Sequence, residues 1–258
     1  MGRPVDRVCI QMPDDPREFF LAMPVVQDYI FQYVQEVARG FRERDYQFTF
    51  RMKDCYEKYE AALKVAKELT PEFDYTGWTR IRRDEFNCFI DFDFAAAEKI
   101  ARCTGKHIVE ALGVPIGSSP RKWPILPPKE PEEDRIDVLA WDNQDMACDQ
   151  SAKLVEILGG NTRLHETWWL TWDSGMDVIN NSSAVIGPSS VFTHLAASYH
   201  RKVVEIFPDM DSYKLYNNDG IVFYQAVIGS PITAENVLEA WRSLSSQTLD
   251  LENVDVLL

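Results

Sequence analysis

AVIGPSSVFTHLAASYHRKVVEIFP, residues Ala184 to Pro208, says more about the fold than any other stretch of this chain. The apolar run Ala184 to Ile186 is stopped by Gly187-Pro188. Ser189 or Ser190 then offers an N-cap to Val191–Tyr199, whose apolar residues have helical spacing, and Lys202 to Phe207 follows as a second β-branched run. Strand, tight turn, helix and strand make a βαβ unit, which requires a parallel sheet. The turn places backbone N–H groups and the positive end of a helix at the carboxyl edge of that sheet. An anion such as a diphosphate fits such a place, held by Gly187, Ser189, Ser190 and Thr193, although a well-capped core helix explains the same residues. His194, on the second turn, reads as a phosphate ligand or as a satisfied core residue.

The same alternation runs outward in both directions. Upstream lie a strand at Val5 to Met12, a helix from about Glu18 to Phe41, a strand at Tyr46 to Met52 and a helix at Glu57 to Leu69. A strand at Asn87 to Phe94 and a helix at Ala95 to Leu112 follow. Residues 117–134 carry five prolines and little periodicity, and read as a linker. Strand–helix alternation then resumes with strand Ile136 to Trp141, helix Gln150 to Leu158, a short strand near Glu166 to Thr171 and a helix near Ser174 to Asn180. The expected organisation is two βαβ domains, residues 1–116 and 135–232, joined by 117–134 and followed by a helix and tail over 233–258. Helix Thr233 to Ser243 opens that last segment.

The Ala184–Pro208 segment resembles the C-terminal signature of the ADP-heptose:lipopolysaccharide heptosyltransferases. In that family a strand leads through an Asp-Thr/Ser-Gly-x-x-His turn into His-Leu-Ala-Ala-Ala and a second strand. Ser190, His194, Leu195, Ala196, Ala197, Val203, Val204 and Phe207 stand at the matching spacing. A weaker match lies at the amino end, where Glu18 precedes Pro24 by the six residues that separate the family's acidic residue from its proline. The resemblance implies a GT-B-like α/β fold, two Rossmann-like βαβ domains with a cleft between them. It also implies transfer of a sugar from a nucleotide-diphosphate donor to an acceptor hydroxyl, with inversion and without a metal ion or separate cofactor. Glu18 would then be the general base, with Asp14 and Asp15 on the same loop as substitutes; a first-turn glutamate complementing the helix dipole is the plainer reading. Gly187, Ser189, Ser190, Thr193 and His194 would hold the diphosphate, assisted by Arg201, Lys202 or Lys214. Asp209 would stand in the nucleotide-base pocket. The chain departs from the family at Ser189 (Asp there), Val191 (Gly) and Arg17 (Gly), which leaves a catalytically degenerate nucleotide-sugar binder as an alternative.

Composition narrows the classes further. The chain has 258 residues and a formal net charge of −14, which argues against a protein that grips nucleic acid by its phosphates, glycosylation of a modified DNA base included. No run approaches the ~20 apolar residues of a membrane span, and no signal-peptide core opens the chain. Five scattered cysteines without a CxxC pair suit a reduced, cytoplasmic setting. Cys103 and His107 have a metal-like spacing but no second pair. Trp141 to Asp145 reads as a sugar or base contact or an acidic loop; Trp168, Trp169 and Trp172 read as a stacking surface or core.

Overall fold

A computed structural model describes residues 5–13, 15–39, 45–52, 88–118, 120, 130–141, 149–167, 170–219, 221 and 223–247. Asp14, the expected helix Glu57 to Leu69, residues 121–129 of the expected linker, Asp142 to Asp145, Trp168, Trp169 and the tail from 248 onward lie outside them. The chain divides into two compact units: Met1–Leu126 with Lys214–Tyr216, and Pro127–Tyr213 with Asn217–Leu258.

In the first unit, strand β1 (Val5–Met12) pairs in parallel with β2 (Asp45–Met52) on one side and β3 (Cys88–Asp91) on the other. On one face of this central strand Val8, Ile10 and Met12 are buried, and on the other Cys9 is buried between exposed Arg7 and half-buried Gln11. Helix α1 (Pro16–Ala38) follows β1 and buries Phe19, Phe20, Leu21, Val25 and Val26. The sequence placed its start near Glu18, whereas Asp15 caps it and Pro16 holds its first position, where a missing N–H costs nothing. The single helix expected over Ala95 to Leu112 is two, α2 (Phe94–Thr104) and α3 (Ile108–Gly113). Gly105 ends α2 at φ 69°, the left-handed conformation that glycine adopts without strain. His107 then caps α3, its Nδ1 accepting from Val109 N at 3.2 Å while Glu110 accepts from His107 N at 3.0 Å.

The second unit has five parallel strands in the order β5-β4-β6-β7-β8. They are β4 (Ile136–Leu139), β5 (Thr162–His165), β6 (Ala184–Pro188), β7 (Lys202–Phe207) and β8 (Tyr224–Ile228). Helices α4 (Asp149–Leu158), α5 (Trp172–Asn181), α6 (Val191–Ser198), α7 (Met210–Tyr216, whose last three residues count with the first unit) and α8 (Ala234–Ser245) connect and follow them. One face of the sheet packs Val138, Ile186, Val204, Ile206 and Val227 against Leu154 of α4 and Ala234, Val237 and Leu244 of α8. The opposite face carries α6 on β6 and β7.

Three expectations differ from this arrangement. The strand expected near Glu166 to Thr171 is Thr162–His165, because the chain turns directly after the left-handed pair Gly159-Gly160. Strand β8 and helix α7 were not anticipated. Half-buried Tyr224, Gln225 and Ala226 give β8 no strong apolar signal, and seven residues give α7 little periodicity to detect.

Candidate functional site at the carboxyl edge of the second sheet

The chain leaves β4 for β5 on one side and returns to β6 on the other, so the direction of winding reverses between β4 and β6. In open parallel sheets the crevice outside the strand ends at such a reversal is where ligands bind. The segments meeting there are Ala140 after β4, His165 at the end of β5, and Ser189-Ser190 between β6 and α6.

Ser190 is the N-cap of α6. Its Oγ accepts from Thr193 N at 3.3 Å and Thr193 Oγ1 accepts from Ser190 N at 2.9 Å, a reciprocal capping box. Ser189 N donates to Ile206 O at 3.2 Å. Three of the turn's amides are thus committed internally. Among the described residues no hydrogen bond engages the N–H groups of Val191 and Phe192, the first two helical positions. These two amides and the helix dipole are what the turn offers an anion.

Gly187 lies inside the fold. A Cβ there would sit 2.5 Å from Leu139 Cβ and 3.2 Å from Leu139 O, so the residue is glycine because β4 presses against it. Gly187→Ala is expected to cost about 1–3 kcal/mol by overpacking, read from the urea midpoint. An unchanged midpoint would show that β4 yields freely.

Thr193 and His194, expected at the ligand, face inward. Both are fully buried against Glu205, itself 0 % exposed in the middle of the sheet. The one hydroxyl proton of Thr193 has Ser190 O, Pro188 O and Glu205 Oε1 within 2.9, 3.2 and 3.3 Å. Asn218 Nδ2 donates to Glu205 Oε2 at 2.7 Å and lies 3.0 Å from His194 Nδ1, which is 3.4 Å from Glu205 Oε1. Burial, reinforced by the charge of Glu205, drives the pKa of Tyr224 far up. The network anchors the first turn of α6 to β7 from below.

A second polar set runs along β4 and β5. Asp137, 0 % exposed, receives Arg135 Nε on Oδ2 at 2.8 Å and meets His165 Nε2 through Oδ1 at 2.6 Å. Arg135 Nη1 also donates to Glu133 at 3.1 Å. Sequence reading passed over both sets. The available signal was a lone acid inside an apolar run, Asp137 in IDVL and Glu205 in KVVEIF. A central strand does not carry a carboxylate without partners.

Asp209 stands on the carboxyl edge after β7, where its Oδ1 accepts from Ser212 N at 2.7 Å and caps α7. One turn on, burial and a hydrogen bond to Asp219 push the Tyr213 hydroxyl up to about 12. Lys202 begins β7 and therefore stands at the opposite, amino edge. Its Nζ donates to Ser245 O at 3.3 Å and lies 5.7 Å from the Phe223 ring centre. Arg201 precedes it at that edge and is buried, so neither cation reaches the α6 turn from there.

In the first unit, Asp15 Oδ1 accepts from Arg17 N at 3.0 Å and Glu18 N at 3.3 Å, which makes it the N-cap of α1. Glu18 lies in the first turn, at the carboxyl end of β1. Arg17, in the family's glycine position, lies over the Tyr216 ring at 4.2 Å.

No family model and no curated protein matches the sequence. Solved structures do match along nearly their whole length. ADP-heptose lipopolysaccharide heptosyltransferase II of E. coli superposes with a TM-score of 0.53 at 11% identity, over 92% of this chain and 98% of that one. A glycosyl transferase family 9 protein of Veillonella parvula gives 0.52 at 10% identity, over 95% and 98%. The E. coli heptosyltransferase WaaC, solved with ADP, gives 0.51 at 10%, over 92% and 99%. The chain has their GT-B fold. The likeness lies in the path of the backbone, since nine residues in ten differ. Among the described residues no helix is long and apolar enough to cross a membrane.

Proposed function

We propose that this chain is a glycosyltransferase that takes a sugar from a nucleotide-diphosphate donor and transfers it to an acceptor hydroxyl with inversion. The observation that carries the reading is the α6 turn, two unengaged amides and a helix dipole at the winding reversal of a GT-B-type second unit. The diphosphate rests on the Val191 and Phe192 amides beside the Ser189 and Ser190 hydroxyls, with Asp209 at the neighbouring strand end. Thr193 and His194 act from behind by fixing the turn. Glu18 takes the acceptor hydroxyl proton, the oxygen attacks the anomeric carbon, and the bond from that carbon to the diphosphate breaks with its electron pair on the leaving group. No metal ion is assigned to this scheme, and Lys202 has no part in it. ADP is the first donor nucleotide to test, because the solved neighbour WaaC holds it.

Val191→Pro tests the donor site directly. Proline is well tolerated at the first helical position, and Ser190 before it is extended (φ −154°, ψ 169°), as a residue preceding proline prefers. The change removes one of the two amides and leaves the helix in place. Binding of ADP and of pyrophosphate, measured by calorimetry, should weaken roughly tenfold with the melting temperature unchanged. Undiminished binding would place the diphosphate elsewhere.

A degenerate nucleotide-sugar binder is the second reading. Ser189 in place of the family's Asp and the commitment of Asp15 to capping favour it. Donor binding without sugar transfer or donor hydrolysis would select it.

A further inference from the structure

β5 ends on His165, whose side chain is 24% exposed, while Asp137 beside it is sealed from solvent. A carboxylate oxygen only accepts, so at 2.6 Å His165 Nε2 is the nitrogen that carries the proton, and in the neutral ring Nδ1 keeps its lone pair. Arg135 Nε holds the other oxygen of Asp137, which fixes the carboxylate and through it the ring. The backbone on either side is fixed as well. Ala140 N donates to His165 O at 2.8 Å, and Thr167 Oγ1 donates to Ala140 O at 3.2 Å. Among the described residues no hydrogen bond engages Nδ1.

His165 pairs with Leu139, and Leu139 abuts Gly187 on β6, the strand that feeds the α6 turn. Two strand spacings, about 10 Å in all, separate the His165 position from that strand. A ribose or sugar joined to a diphosphate on the turn can span that distance. We propose that the Asp137–His165 pair is a hydroxyl-binding subsite. His165 Nδ1 accepts a hydrogen bond from a sugar hydroxyl of the ligand whose diphosphate rests on the α6 turn. The subsite rests on the donor-binding reading above. A nucleotide sugar offers that hydroxyl from two sources, the ribose and the transferred sugar.

Calorimetry with pyrophosphate, ADP, its 2′- and 3′-deoxy analogues and ADP-glucose separates the outcomes. In His165→Leu, pyrophosphate should bind as in the parent, while ADP or ADP-glucose loses roughly three- to tenfold. A loss on ADP that a deoxy analogue already shows in the parent assigns the ribose; a loss confined to ADP-glucose assigns the transferred sugar. His165→Phe is the second variant, should leucine disturb folding. It keeps a planar ring at the site, lacks the Nδ1 lone pair and should produce the same selective loss. Parent-like binding of both ADP and ADP-glucose in both variants overturns the subsite while leaving the diphosphate site standing. Failure of the parent to bind pyrophosphate or either nucleotide overturns the donor reading and the subsite together. Imidazole nitrogen NMR gives a readout independent of any ligand: the four histidines are few enough to assign, and an Nδ1–H tautomer at His165 in the free protein also overturns the proposal.

Discussion

Glu205→Ala is expected to lower the stability of the chain by about 2–4 kcal/mol, because a buried donor left without its acceptor costs roughly 1–3 kcal/mol and the lost side chain leaves a cavity. Asn218 loses the acceptor at 2.7 Å, and Thr193 and His194 lose the carboxylate that holds them. None of these groups has solvent to turn to, because all four side chains are buried. Glu205→Gln should cost much less, about 1 kcal/mol. Its carbonyl oxygen still accepts from Thr193, and Asn218 can rotate its amide to receive the new N–H. Urea unfolding followed by circular dichroism measures both. An alanine variant within 0.5 kcal/mol of the parent would mean that the network is not what fastens α6 to β7.

The largest effect on activity is expected at Glu18. Glu18→Gln keeps the size of the side chain and its place in the first turn of α1, and removes the capacity to take a proton. Sugar transfer should fall by roughly 10²–10⁴, the usual contribution of a positioned general base. ADP affinity should hold, since the diphosphate is assigned to the second unit. Asp15→Ala should behave differently. It removes the N-cap that receives Arg17 N and Glu18 N, and should cost about 0.5–2 kcal/mol of stability. Full transfer by the Glu18→Gln variant would remove this residue from the proposed mechanism.

The alternation of strands and helices was legible because parallel strands buried on both faces read as unbroken apolar runs. The Ala184–Pro208 segment shows this best, since both its strands and its helix fall within two residues of the expected limits. Short elements were not legible. Four residues such as Thr162–His165 carry no period, and α7 is capped by an Asp that sequence reading had assigned to a ligand pocket. The direction of side chains was the other blind spot. Thr193 and His194 occupy the expected positions along the chain, yet helical geometry turns both toward the sheet. Their partner Glu205 is eleven residues or more away and becomes visible only once β7 lies beside β6. Lys202 shows the same limit: being close in sequence to the α6 turn means being a full strand length from it in space.

The pairing Gly187↔Glu205↔Ala226 places the acid in a single transverse row of the sheet. Side chains alternate faces along a strand, so a shift of β7 by one residue would carry Glu205 into the layer of Val204, Ile206, Val227 and Ala234. There it would meet only hydrocarbon. The mispaired sheet would therefore bear an uncompensated carboxylate, a penalty absent from a strand made of valine and isoleucine alone. The buried acid thus favours the observed offset of β7 over its one-residue neighbours.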